Sequence, residues 1–141
     1  MSGMVHEHDE EMDRALAYGI FRLAIGVNLF GHALVRILGG VGGFADWMVQ
    51  NMNGTILPAW LVRPFAYCLT VEELVVGVLL IVGWWTRAAL VVGGLAMVAL
   101  MWGLVVKQEW AGAGMQVVYC IAFFLLLFFR RHDRFSMDGM F

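Results

Sequence analysis

The sequence predicts an all-α fold: an integral membrane four-helix bundle, with a short amphipathic interfacial helix between the first and second spans. Three observations predict it. The chain of 141 residues is 62% hydrophobic and only 14% charged, with a mean hydropathy of +0.80, whereas a soluble domain is roughly half apolar and about a quarter charged. One small core could not hide that excess, and a bilayer accepts it. Next, four apolar runs each approach the roughly 20 residues that a helix needs to cross hydrocarbon. Finally, the breaks between them suit helix ends: the glycine-rich LGGVGG, the short WWTR and the Arg130–Arg131 pair. The length fits a single domain.

Residues 1–14, MSGMVHEHDEEMDR, read as an acidic tail. They lack the basic region and small-residue cleavage site of a secretory signal, so the first apolar stretch is expected to stay as an anchor. His6 and His8 stand among acids in HEHDEE, but two histidines on a flexible tail make a poor metal site, and no metal is expected. The first span covers 15–38. The second covers 64–85, with Pro64 in its first turn, where the missing N–H costs nothing. The third covers 88–106 and the fourth 111–129, leaving 132–141 as a second tail.

The connection between the first two spans is FADWMVQNMNGTILPAWLVRP. Phe44, Trp47, Met48 and Met52 recur there at helical spacing, with Asp46 and Gln50 off the stripe. This is the expected interfacial helix, with Trp47 and Trp60 at headgroup depth. WWTR is so short that the second and third spans must be antiparallel neighbours. In the third span Ala89, Gly93, Ala96 and Gly103 form a stripe of small residues, suited to close helix packing in lipid. Cys68 and Cys120 share no CxxC motif and read as small apolar residues, a disulfide being the lesser reading.

Four spans put both termini on one side. Arg14, Arg87, Arg130, Arg131 and Arg134 fall on that side, and Arg36, Arg63 and Lys107 on the other. This bias predicts cytoplasmic termini in a cell (inner) membrane. The net charge of −2 and the lack of a basic block exclude a nucleic-acid partner.

The chemistry concentrates on the first two spans. Arg22, Asn28, His32, Arg36 and Tyr18 fall within an arc of about 120° on the first helix. A charged side chain at the centre of a span costs about 2.5–3.5 kcal/mol, so this face must avoid lipid. On the second span Glu73 shares a stripe with Thr70, Gly77, Leu80 and Trp84, while Glu72 points elsewhere. At about 1.5 Å per residue, Glu73 lies about 13 Å deep, level with His32 at about 10 Å and Asn28 at about 16 Å. The expectation is therefore a Glu73–His32 pair that holds or passes a proton, with Asn28 nearby. Arg22 and Arg36 read as ion-pair or snorkelling residues that border the ligand. Gln116 and Tyr119 share a face of the fourth span with Cys120 and are expected to look inward.

Three stretches carry a family resemblance. R22-LAI-G26 followed by H32-ALV-R36 is similar to the first helix of the DoxX family. V71-E-E73-LVV-G77-VLLIV-G83-WWT-R87 resembles its second helix and turn, with Glu73 at the family's carboxylate position. R134-FSMD-G139 resembles its C-terminal tail. The resemblance implies a small four-helix membrane protein of bacterial or archaeal type, similar to the membrane subunit of thiosulfate:quinone oxidoreductase.

The functional expectation is a redox-linked, quinone-interacting membrane subunit of an oxidoreductase system, with a protein partner and the lipid bilayer as its surroundings. Glu73 and His32 would exchange protons with the ligand. Asn28, Arg36, Arg22, Tyr18, Trp84, Gln116 and Tyr119 would line its site. A homo-oligomer is compatible with this reading. The alternative is a non-catalytic membrane scaffold or assembly factor for a redox partner. A small transporter has little support, because no inverted repeat or broken span occurs.

Overall fold

The computed structural model describes residues 1–140. In chain order the elements are α1 (Ser2–Gly39), α2 (Val41–Asn51), α3 (Ala59–Val82), α4 (Thr86–Val106), α5 (Trp110–Phe128), a 3-10 turn (Arg130–His132) and α6 (Met137–Met140). No strand occurs among the described residues. Helices α1, α3, α4 and α5 are long and apolar enough to cross a membrane. They alternate in direction, so both chain ends lie at one end of the bundle, where Arg134 donates to Glu11 at 3.1 Å. The opposite end, the loop end, carries α2.

Two boundaries differ from the sequence expectation. The acidic residues 1–14 are exposed turns that extend α1 back to Ser2. Helix α3 starts at Ala59, five residues before Pro64, which lies inside the helix. Pro58, extended at φ −78°, takes the helix-starting position expected of Pro64. Helix α3 ends where Gly83 turns left-handed at φ 69° and the Trp84 N–H reaches back to the Leu79 carbonyl at 3.0 Å.

The tightest packing joins α1 to α3. A methyl group on Gly77 would stand 2.6 Å from the Phe30 nitrogen, and one on Gly26 would stand 2.9 Å from the Ile81 nitrogen. Backbone meets backbone here, which only glycine permits. The small stripe of α4 works the same way at longer range: Gly93 receives the ring of Phe123 from α5. Leu29, Val76, Leu80, Leu90, Phe123 and Leu126 fill the centre of the bundle.

Helix α2 lies against α3 through Ala45 and Met48, which pack on Val62, Ala66 and Leu69. Trp47 remains on the stripe with Phe44, on which it stacks, and is 57% exposed.

The terminal end is tied by the C-terminal segment. The Asp138 carboxylate accepts the backbone N–H groups of Trp85 at 3.0 Å and Thr86 at 2.8 Å, and its own N–H donates to the Gly83 carbonyl at 2.9 Å. The tail thus supplies an anion to the unsatisfied first turn of α4, whose own cap position, Trp85, offers no side-chain acceptor. Burial alone would raise the Asp138 pKa, but the Thr86 and Trp85 N–H groups and the Arg130 charge hold it below the ordinary aspartate value.

Gly77→Ala is expected to cost about 1–3 kcal/mol by overpacking. Gly94→Ala, where a methyl group meets nothing within 4 Å, should be neutral or slightly stabilising. Thermal unfolding of the detergent-purified variants decides between them. Asp138→Ala should cost about 1 kcal/mol, as loss of a helix cap does. Because the native pKa is lowered, the contribution of Asp138 is complete above the usual carboxylate range and fades as pH falls through its own lower value. The stability gap between wild type and Asp138→Ala should therefore close at acid pH.

Candidate functional site

Below the Gly26–Gly77 crossing, toward the loop end, α1 and α3 present their polar residues to each other. Arg36 and Glu73 form a salt bridge there, with side chains 19% and 5% exposed. The expected partner of Glu73 was His32, and the structure corrects this. Side chains tilt toward the N-terminus of their own helix. In antiparallel α1 and α3, that tilt carries Arg36 inward and Glu73 outward, so the long guanidinium arm closes the difference in depth. His32 instead bends onto its own helix, with Nδ1 2.8 Å from the Asn28 carbonyl.

The guanidinium is also held from α2. Its carbon lies 4.2 Å from the centroid of the Phe44 ring, and Phe44 stacks on Trp47 at 6.0 Å. A desolvated cation over an aromatic face adds about 2 kcal/mol or more, while the carboxylate is the partner that neutralises the charge. On the other wall, the Tyr119 hydroxyl of α5 donates to Asn28 Oδ1 at 3.0 Å. Gln116, one turn earlier, has a side-chain oxygen that is buried without a hydrogen-bond partner.

These residues border a cavity of about 560 Å³ at the loop end. Asn28, His32, Arg36, Glu73, Gln116 and Tyr119 line it, as the sequence suggested, together with residues that sequence reasoning did not assign to the site. Phe44, Trp47, Met48 and Met52 from α2, Phe65 from α3 and Trp102 from α4 give it largely apolar, aromatic walls. The helical stripe in the connection was the available signal for α2, although it pointed to the interface and not to a pocket. At the rim, Lys107 donates to Asn51 at 2.6 Å and lies 3.7 Å from Glu109.

Three expected site residues lie elsewhere. Arg22 is buried at the terminal end, where it pairs with Asp133 and donates to the Leu80 carbonyl at 2.9 Å and the Phe135 carbonyl at 2.8 Å. Two of its three partners, Asp133 and Phe135, come from the C-terminal segment, whose distance in sequence hid the contact. Tyr18 donates to the Leu126 carbonyl at 2.5 Å within the core. Trp84 sits exposed in the α3–α4 turn beside Trp85. None of the three lines the cavity.

Cys68 is exposed, Cys120 is partly buried, and both are free thiols. Both Glu72 oxygens are buried with no hydrogen-bonding group against them, and nothing in the structure explains this. Among the described residues no cluster of three or more His, Cys, Asp or Glu could hold a metal ion.

The arrangement defines a class: a multi-pass helical membrane protein with a polar-ended cavity open toward its loop end. Residues 14–116 match the family described as methylamine utilisation protein MauE, and the chain belongs to that family. This corrects the DoxX resemblance, since MauE is a different membrane family. The stretches that carried the resemblance serve the packing: Gly26 and Gly77 at the crossing, Arg22 and Asp138 at the tail, Arg36 and Glu73 in the ion pair. Those devices suit any tightly packed four-span bundle. No curated protein and no solved structure matches the chain.

Removing one partner of a buried ion pair leaves an uncompensated charge, at a cost of about 3–5 kcal/mol. Arg36→Met is expected to destabilise more than Glu73→Gln, because it strands the more deeply buried charge, whereas Glu73→Gln strands the less buried guanidinium and leaves an amide oxygen for it to bond. Combining Arg36→Met with Glu73→Leu should recover most of the loss. Thermal unfolding in detergent tests the order, and a double variant as unstable as Arg36→Met alone would contradict it.

Proposed function

We propose that this chain is an accessory membrane subunit of a redox-linked system, and that its loop-end cavity takes an amphipathic ligand of quinone size. The observation that carries the reading is the convergence of His32, Asn28 and the Arg36–Glu73 pair on one cavity whose remaining walls are largely apolar and aromatic. Small-molecule sites commonly occupy about 300–1,000 Å³ and combine apolar walls with a few placed polar groups. Family membership supports a role in methylamine utilisation. Oxidation of a carbon–nitrogen bond releases electrons, and quinones are the electron carriers that dissolve in a membrane.

In this reading His32 hydrogen-bonds the ligand head and exchanges its proton. The Arg36–Glu73 pair fixes the wall beside it, so that Glu73 acts as a positioning residue. Asn28, Tyr119 and Gln116 orient the head from α1 and α5. A second protein carries the redox centre. The arginine distribution supports cytoplasmic termini in the cell membrane, which opens the cavity toward the outer face.

The test is binding of a decyl-substituted benzoquinone to purified protein. Wild type should bind saturably, and His32→Leu should weaken binding by up to about tenfold, the upper end for loss of one hydrogen bond. Trp84→Ala, at the opposite end, should leave the affinity unchanged. No saturable binding, with a stable co-purifying protein partner, would instead favour the scaffold reading.

A further inference from the structure

We infer that the cavity is entered from the side, out of the loop-end leaflet of the bilayer, through a seam between α1 and α5, and that an apolar tail on the ligand lies in that seam while its head is bound. This rests on the cavity reading above and adds to it the route and the class of ligand, a molecule dissolved in the membrane.

Two stripes of side chains run along the seam. On α1, Tyr18, Ile25, Asn28 and His32 recur at the spacing of one helical face, and on α5 so do Leu126, Ala122, Tyr119 and Met115. Two hydrogen bonds join the stripes: Tyr18 to the Leu126 carbonyl near the terminal end, and Tyr119 to Asn28 further along. Burial falls in step on both sides. Tyr18, Leu126 and Ala122 are buried, Ile25 and Tyr119 are half-buried, and Asn28, His32 and Met115 are exposed, Met115 by 56%. The two helices therefore pack closely at the terminal end and part toward the loop end. Among the described residues no side-chain hydrogen bond joins α1 to α5 beyond the one between Tyr119 and Asn28. Helix α2 spaces the loop ends: it touches α1 where Phe44 meets Arg36, and the end of α4 where Asn51 meets Lys107, and α5 packs on α4 through Gly112 and Leu104.

The gap opens into hydrocarbon. Asn28 and His32 stand about 16 and 10 Å from the end of α1, inside the span. Asn28 and Val35 are seven residues apart and so leave the helix within about 20° of each other, and Val35 is 71% exposed. Asn28 thus marks the edge at which the cavity wall becomes the lipid face, and both Asn28 and His32 line the cavity. Polar side chains bared to hydrocarbon at that depth are costly, and a polar head seated against them removes the cost. Val35 and Met115 make the flanks of the gap apolar, a surface that an alkyl or isoprenoid tail covers. A wholly polar ligand gains nothing from those flanks. No bond is made or broken in this binding.

The experiment places a nitroxide label in the gap, on Met115→Cys in a chain carrying Cys68→Ser and Cys120→Ala, and reconstitutes the protein in phospholipid nanodiscs. Met115 is exposed, so the label needs no room in the core. It should collide freely with oxygen, which dissolves in lipid, and rarely with a water-soluble nickel chelate. Saturating decyl-substituted benzoquinone should slow the label and remove most of its oxygen collisions. The same label on Val117→Cys, exposed on the far side of α5, should stay as it was. Unlabelled wild type in the same discs should bind a benzoquinone with a long isoprenoid tail as saturably as the decyl compound, since the tail runs out into lipid. A label at residue 115 that is shielded from oxygen, or reached mainly by the nickel chelate, or unmoved by bound benzoquinone overturns the inference and leaves the cavity reading standing. Exclusion of the long-tailed compound alone does the same. Failure of wild type to bind either compound removes the cavity reading, and this inference with it.

Discussion

The contact between Gly26 and Gly77 sets the spacing on which the molecule depends. With no side chain on either residue, α1 and α3 approach until backbone touches backbone. In lipid there is no hydrophobic gain from pushing two helices together, so dispersion contacts and interhelical polar bonds must supply the attraction. Close approach provides the first directly. It provides the second by bringing the Arg22 side chain onto the Leu80 carbonyl on one side of the crossing, and Arg36 onto Glu73 on the other. A wider spacing would cost Arg22 its bond to α3 and would part Arg36 from Glu73, leaving a guanidinium and a carboxylate without each other.

Much of the architecture was legible because lipid imposes simple rules. The four spans, the short turn at WWTR and the polar arc on α1 all follow from helical period and hydropathy, and the structure has each of them. Residues that act through neighbours in sequence, such as Asn28, His32 and Arg36 at successive turns, were placed on one face correctly. The pairing across helices was not. Rise per residue gives the depth of a Cα atom, whereas an arginine head sits several ångströms from its own Cα, and the tilt of antiparallel side chains decides which heads meet.

The C-terminal segment shows a second limit. Asp133, Ser136 and Asp138 look like any polar tail in sequence, and hydropathy assigns them no partner. In the fold, Asp133 neutralises the buried Arg22 and Asp138 caps α4. The same limit explains why the family was misjudged. Glycine crossings, basic residues at helix ends and an aspartate-bearing tail are solutions to packing in a membrane, and more than one family of bundles uses them.

The core between the two ends bears on transport. Leu80, Leu90 and Leu126 are fully shielded, and beneath them Arg22 holds the C-terminal segment through Asp133 and the Phe135 carbonyl and α3 through the Leu80 carbonyl. The hollow at the loop end therefore has a floor. Between that hollow and the far end lie packed leucines and a guanidinium held by one carboxylate and two carbonyls.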